Sequence, residues 1–540
     1  MLSQSLQTLL NSLPGSLLYQ VNWSEKERDE PWSLELSGIA LDSRLVTEGN
    51  LFVALSGGNT DGHRYIPDAL SRGAVAIVGE QDIGGLSQPY IRVSDSRLAL
   101  AYLSAAFYGF PARQMTVIGV TGTDGKTTTA NLIYNILKEA GFQTGMISTV
   151  SAIIGEKRLD TGFHVTTPES PDIQRYLAQM VAQGLTHVIL EATSHGLAQH
   201  RVSACEFDLG VVTNITHEHL DYHGTYQAYR EAKARLFSHL LGTAAKTRGN
   251  FRQAILNRDD GSFEYLSEFI QLLNSSTVDQ ISLVSYGMHR QAEIRAEECV
   301  YTSGGLNFTA VHQGSRLPIS TPLVGEYNVS NCLAAIATTM LGLGVDAAAV
   351  SRGIQNLENI PGRMEKIDLG QDYLAIVDFA HTPNALKRSL EAARMEIDRR
   401  GRGGRLIAIF GSAGLRDRAK RRMMSEISAE LADLTILTAE DPRTESLEGI
   451  LAEMAEGATA RGGVEGKTFW RIPDRGEAIR YGVNKACPGD LVIVLGKGHE
   501  QSMCFGEIEY LWDDRTALRA ALAERMKLPG PEMPYLPTCG

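Results

Sequence analysis

Short unbroken apolar runs, each closed by a polar tail, recur along the 540-residue chain. Runs of this kind, without apolar–polar alternation, mark strands buried on both faces, as in a parallel sheet covered by helices. One is "TVIGV" after Met115, and others lie in "THVILEATSHG" and "FDLGVVTNITHEHLDYHG". A later series comprises "YLAIVDFAHTP", "RLIAIFGSAG", "LTILTAEDPR" and "DLVIVLGKGHE". Between runs the period changes. The spacing predicts a helix from Thr127 to Ala140, with Leu132, Ile133, Ile136 and Leu137 on one face and Gly141 as its stop. The polar tails are the chemically interesting part, because open α/β sheets bind ligands at the carboxyl ends of their strands.

Two breaks divide this pattern. Residues 34–78 hold "LFVAL" and "GAVAIV" between Gly, Asn and Asp clusters, a small α/β unit closing near "FYGFPARQ". The turn signal Asn359-Ile360-Pro361-Gly362 precedes the last series of strands. We therefore expect an α/β protein of three domains, at 1–113, 114–358 and 359–540, the second a doubly wound parallel sheet. No internal repeat is visible.

Composition narrows the function classes. Hydrophobic content of 43% and charged content of 21% suit an ordered globular chain. A net charge of −12 disfavours nucleic acid and anionic membranes as partners, so "RRGRGGR" at 399–405 reads as a solvated loop. The start lacks a basic, apolar leader, and no run reaches the roughly 18 apolar residues of a membrane span. Six cysteines without a C-x-x-C pair argue against a zinc cluster or disulfide framework. A reducing cytoplasm is the expected location.

The stretch "GVTGTDGKTTTANLIYNIL" carries the first chemistry. A strict P-loop has glycine five positions before the Gly-Lys pair, where this chain has Val120. The context is nonetheless that of an anion site, a strand leading into a helix N-terminus whose N–H groups and dipole face the ligand. Gly122 and Gly125 permit the turn, Lys126 reaches for β and γ phosphates, and the Thr127 hydroxyl suits magnesium. Glu191 and His219 stand at strand ends where they would meet those phosphates. Magnesium prefers oxygen, so His219, like His217 and His223, reads by itself as a structural or substrate-contacting histidine. Lys233, in "AYREAKARLF", reads locally as a solvated helix lysine.

Together these stretches resemble the Mur ligase family, the ATP-dependent amide-forming enzymes of peptidoglycan precursor synthesis, and most closely its diamino-acid-adding branch. "DSRLVTEGNLFVAL", "DGHRYIPDALSRGAVAIV", "HVTTPES", "EATSHGL", "HLDYHGTYQAYREAKARLF", "GEYNVSN", "PGRME", "VDFAHTPNAL" and "GKGHE" carry the resemblance in order along nearly the whole chain. It implies a UDP-binding first domain, a P-loop ATPase-like second and a Rossmann-like third that binds the amino acid. The substrates implied are ATP, UDP-N-acetylmuramoyl-L-alanyl-D-glutamate and a free diamino acid. The carboxylate is activated as an acyl phosphate that the amine then attacks, in a monomeric protein.

The resemblance also implies residue roles. Gly122, Thr123, Asp124, Gly125, Lys126, Thr127 and Thr128 would hold the phosphates, Asn328 and Asn331 the adenine side, and Arg363, Asp378 and His381 the ATP from the third domain. Lys126, Glu191, His219 and Lys233 would be catalytic. Thr127, Glu191, His219 and Lys233 would serve two magnesium ions, with Lys233 converted by carbon dioxide to an anionic carbamate. Ser43 and Arg44 would meet UDP in the same cleft, and Thr166, Thr167, Thr193, Ser194, Gln199 and Arg201 the muramoyl dipeptide. Arg416, Glu440, Asp441, Arg443, Gly496 and Glu500 would bind the amino acid.

The chain departs from the family there. Diaminopimelate-adding members usually carry Asp-Asn-Pro-Arg where this chain has Glu440-Asp441-Pro442-Arg443. An ionised Asp441 about 4 Å from a substrate carboxylate would oppose it by roughly 4 kcal/mol at an effective dielectric of 20, offsetting Arg443. With Glu440 and Glu445 nearby, the distal ammonium of lysine or ornithine is then an alternative. "GSAGLRDRAKR" also departs from the usual Gly-Gly-Asp-Arg-Asp, keeping Arg416 and Asp417. Two further readings stand beside this one: a ligase extending folate or a polymer, and a non-catalytic nucleotide switch.

Overall fold

A computed structural model describes residues 3–22, 33–57, 60–159, 167–216, 218, 220–302, 305–401 and 403–538. The expected strands form and gather into three main sheets. The first has five strands, in the order Leu18–Asn22, Tyr90–Val93, Ala76–Gly79, Asn50–Val53 and Gly38–Ala40, all parallel except the first.

The central sheet has eleven strands, and Thr116–Thr121 lies in its middle between His187–Glu191 and Leu209–Val212. Both neighbours run parallel to it, with Glu191 beside Val120. The carboxyl ends of these strands therefore open on one edge of the sheet. Beyond Ser282–Gly287 the sheet continues into Ile294–Thr302, Gly305–His312 and Ser315–Thr321, an antiparallel meander. Each face carries its own core, one built on Leu132, Ile133, Ile136 and Leu137 and the other on Leu177, Met180, Phe207 and Phe237. The helix after the P-loop spans Lys126–Glu139, one residue earlier at each end than its sequence pattern predicts.

The third sheet orders Glu365–Lys366, Leu374–Asp378, Leu491–Leu495, Leu406–Phe410, Leu434–Leu437 and Phe469–Arg471, parallel after its first strand. Among the described residues no helix is long and apolar enough to cross a membrane.

A buried ion pair organises the carboxyl edge of this third sheet. Arg475 is fully buried and holds Asp514 through two bonds of 2.7 Å. Its remaining N–H groups donate to the carbonyls of Ala439 at 3.0 Å and Leu495 at 2.8 Å, while Trp512 Nε1 also donates to Asp514. Arg475 thus joins the ends of two strands from which Glu440 and Gly496 project. Removing one partner of such a pair leaves a buried charge uncompensated, at a cost of about 3–5 kcal/mol. Arg475→Met is expected to lose stability on that scale, read from the denaturant midpoint. A change below about 1 kcal/mol would show that water replaces the guanidinium.

Candidate functional site

Steric need shapes the phosphate loop. Gly122 has φ +150°, and a Cβ there would stand 1.8 Å from Thr213 Oγ1. Gly125, at φ +82°, caps the helix Lys126–Glu139, and a Cβ there would meet Asn331 Oδ1 at 2.3 Å. No side chain fits at either position, so the loop presses flat against the sheet and its backbone faces the cleft.

Two lysines converge on one carbonyl of this loop. Lys126 Nζ donates to Gly122 O at 2.9 Å and to Thr123 O at 2.7 Å. Lys233 Nζ donates to the same Gly122 O at 2.6 Å from within the core, only 2% exposed, with its ammonium over the Tyr229 ring. The solvated reading of Lys233 is therefore corrected. Its helix, Tyr226–Ser238, packs Tyr229, Ala232, Lys233, Leu236 and Phe237 inward. Burial first, and Lys126 second, hold its pKa well below the ordinary lysine value, against Glu218 and Asp124.

Glu191 is completely buried behind two threonines that line the cleft. Thr127 Oγ1 donates to its Oε2 at 3.1 Å and Thr149 Oγ1 to the same atom at 2.9 Å, while Arg363 Nη2 donates to Thr127 Oγ1 at 3.1 Å. Burial pushes the carboxyl upward, and Lys126 is the largest of the groups opposing it. The donor set fits magnesium. Octahedral oxygens at 2.0–2.1 Å from the ion lie about 2.9 Å apart, close to the Thr127–Glu191 separation, and a cation would relieve the buried carboxylate. Among the described residues no three His, Cys, Asp or Glu side chains cluster as a metal cage. His219 and Thr166 lie outside the described residues.

One cavity of about 1700 Å³ joins the expected sites. Thr123, Asp124, Gly125, Lys126, Thr127 and Thr128 line it, with Asn328, Asn331, Arg363, Asp378 and His381. Asn331 Nδ2 donates to Asn328 Oδ1 at 2.8 Å, so the two asparagines form a unit against the loop. Asp378 accepts from the Met364 and Ala380 N–H groups and from Ser389, and so organises the turn that carries Arg363. On another wall Arg201 bonds the Thr167 carbonyl and the Gln199 side chain, and Thr167 Oγ1 meets Thr193 Oγ1 at 3.0 Å.

Of the expected residues that are described, Gly122, Glu191, Lys233, Ser194, Ser43 and Arg44 are not among those lining the cavity. Ser194 is buried. Ser43 is buried too, on a short turn, and Arg44 is exposed and paired with Asp42 at 2.7 Å. Their turn lies between two strands of the five-stranded sheet, and neither residue is among those lining the cavity.

The third sheet supplies a further wall, formed in part by Arg416, Glu440, Asp441, Arg443, Gly496 and Glu500. The expected opposition between Asp441 and a substrate carboxylate is corrected here. Buried Lys497 donates to both Asp441 oxygens at 3.0 Å and pairs with Glu500 at 2.5 Å, and the Cys504 N–H adds a bond of 2.9 Å to Asp441. Glu445 is likewise committed, to Arg421 and the Leu415 N–H. Left over are two groups. Glu440 Oε2 is buried with no hydrogen-bond partner, its pKa pushed up to about 7 by burial, and among the described residues no carboxylate pairs with Arg443.

The lining residues not singled out in the sequence include Thr149, Glu218, Tyr222 and His195. Thr149 lies in a turn without a motif. Glu218, beside His219, has its pKa pushed up to about 7 by burial and by Asp124, and stands 3.9 Å from His381. Tyr222 receives a bond from Gln199 Nε2 at 3.1 Å and packs its ring on His195. Adjacency to recognised motifs was the only available signal for the last three.

Three family profiles match the chain: the Mur ligase family catalytic domain at 35–108, the Mur ligase middle domain at 120–339, and the Mur ligase glutamate ligase domain at 362–498. The UDP-N-acetylmuramyl-tripeptide synthetase of Roseiflexus sp. (strain RS-1) is 42% identical over 501 residues, covering 92% of this chain and 96% of its own. The UDP-N-acetylmuramoyl-L-alanyl-D-glutamate--2,6-diaminopimelate ligase of Geobacillus thermodenitrificans (strain NG80-2) is 38% identical over 520 residues, covering 96% and 99%. A solved structure titled as a UDP-N-acetylmuramoyl-L-alanyl-D-glutamate--2,6-diaminopimelate ligase superposes with a TM-score of 0.62 at 30% identity, covering 93% of this chain and 97% of that one. Matched by these profiles and by relatives of 42% and 38% identity over more than nine-tenths of its length, this chain belongs to the Mur ligase family.

Proposed function

We propose that the protein uses ATP to join a diamino acid to the D-glutamate of UDP-N-acetylmuramoyl-L-alanyl-D-glutamate in peptidoglycan precursor synthesis. The supporting observation is the single cavity that sets the phosphate loop, the Thr167–Arg201 wall and the Glu440–Arg443 wall within reach of one another. A carboxylate is a poor electrophile because it would have to expel oxide. Phosphoryl transfer from ATP gives it a leaving group, and electrostatic positioning carries most of that step.

In this reading Lys126 leaves the Gly122 and Thr123 carbonyls for the β and γ phosphates, and the loop N–H groups at the helix start cradle them. Arg363, already at Thr127, adds positive charge from the third sheet. Glu191 and Thr127 would hold magnesium, with His219, where it would supply charge neutralisation for phosphoryl transfer. Lys233 would complete the set as a carbamate. Its depressed pKa favours the neutral amine, whose nitrogen would add to the carbon of carbon dioxide and release one proton to solvent, so that a buried amine becomes an anionic oxygen ligand.

The third substrate is a diamino acid whose distal ammonium meets Glu440 and whose distal carboxylate, as in diaminopimelate, meets Arg443. Those are the two unpaired groups of the wall, and each lacks the partner that the other end of a zwitterion supplies. The five-stranded sheet favours a UDP-sugar substrate over folate or a polymer, and Ser43 and Arg44 keep a proposed UDP role on it.

Three outcomes test this. Purified protein with ATP and the UDP-muramoyl dipeptide should convert diaminopimelate to a tripeptide of the expected mass in preference to lysine or ornithine; lysine or ornithine as the better substrate would remove Arg443 from recognition, and ATP turnover without dipeptide would favour a switch. Lys126→Ala should abolish ligation while its thermal unfolding stays near wild type; ordinary turnover would refute the phosphate role. Lys233→Ala, and wild type in carbon dioxide-depleted buffer, should both lose ligation, with partial recovery of the variant by formate or acetate but not by an amine.

The KM for the diamino acid should also rise as pH falls through about 7, because Glu440 attracts an ammonium only when ionised and burial holds its pKa there. In Glu440→Gln that KM should be high and nearly independent of pH. An unchanged profile in the variant would exclude Glu440.

A further inference from the structure

Arg416 and Arg443 belong to separate loops, each following a different strand of the third sheet. Arg416 follows Leu406–Phe410 and Arg443 follows Leu434–Leu437. Recognising both ends of a small zwitterion demands a set distance between these walls, so whatever joins the loops sets selectivity.

The join is built of buried groups. The Gly414 N–H donates to the Asp441 carbonyl at 3.0 Å, and a Cβ on Gly414 would stand 2.0 Å from the Pro442 carbonyl oxygen, so the two backbones touch. Arg421, 1% exposed in the first turn of the helix Ala419–Leu431, donates to Glu445 and to the Ala413 carbonyl at 3.5 Å. Glu445 Oε2 also accepts the Leu415 N–H at 2.9 Å. A third bond, from Arg421 Nη1 to Glu453 at 3.0 Å, anchors the guanidinium to the helix Leu447–Ala460. One arginine therefore spans the loop before Arg416, the loop after Arg443 and the helix behind both. Neither Arg421 nor Glu445 lines the cavity.

We propose that Arg421 and Glu445 are positioning residues for amino-acid selectivity, a clamp that fixes the spacing of the Arg416 and Arg443 loops without touching substrate. The inference rests on the reading that this wall holds the incoming amino acid. A buried arginine held by two carboxylates resists the small shifts that cost most in a binding site, where displacement by about 1 Å lowers rates by up to roughly a hundredfold.

The test is steady-state kinetics on the full chain for Arg421→Met, Glu445→Gln and the double variant, with Arg421→Lys as a milder change should Arg421→Met fold poorly. Each is assayed with diaminopimelate, lysine and ornithine beside ATP and the UDP-muramoyl dipeptide. The expected result is a KM for the amine raised about tenfold or more, with the KM values for ATP and dipeptide within about twofold of wild type, and a narrowed preference among the three amines. The double variant should be no worse than the more affected single one, since both remove one link.

An unchanged amine KM in Arg421→Lys and Glu445→Gln would overturn the proposal, as would a uniform rise in all three KM values with a matching fall in thermal stability. Failure of the underlying reading is distinguishable, because it would show in wild type as ligation of some other nucleophile. The KM of that nucleophile then decides the clamp by the same criteria.

Discussion

The Gly122 carbonyl is the point on which the catalytic end depends. Two lysines, one from the helix that follows the loop and one from Tyr226–Ser238, donate to this single oxygen. Packing two ammonium groups so closely is electrostatically unfavourable unless one loses its charge or negative groups compensate. The fold supplies Asp124 and Glu218 nearby, and the pKa of Lys233 still falls. That residual imbalance is an excess of positive charge, which an anion such as a phosphate would offset.

The arrangement holds because the surrounding backbone has no freedom to relax. Gly122 lies against Thr213 and Gly125 against Asn331, both at separations that only a missing Cβ allows. Asn384 and Arg388, from the helix Pro383–Arg399, reach Asp124 from the other side of the cleft. The phosphate loop is thus held by the central sheet and touched by the third one, and Arg363 extends the same contact to Thr127.

The amino-acid wall follows a complementary logic. Its charges are mostly cancelled internally, Asp441 by Lys497, Glu445 by Arg421 and Asp514 by Arg475. Buried pairs of this kind contribute little net stability, but they leave few groups unpaired. Under the proposed function, selectivity would rest on Glu440 and Arg443.

The sequence by itself determined the strands and their order of chemistry. Continuous apolar runs such as "TVIGV" and "LVIVL" can only be buried on both faces, and glycines with Lys126 at a strand-to-helix turn leave little else than an anion site. It also determined the family, because nine motifs in order are independent of geometry. The meander at 294–321 went unread: its strands bury partly alternating positions that merge locally with loop polarity. The tertiary structure decided whether Lys233 meets solvent or the core, since neighbours distant in sequence, Gly122 and Tyr229 among them, set its burial. It likewise decided that Asp441 is paired with Lys497, and that neither Ser43 nor Arg44 is among the residues lining the cavity. Charge compensation is a property of distances in space, and no local pattern of residues encodes which carboxylate an ammonium will find.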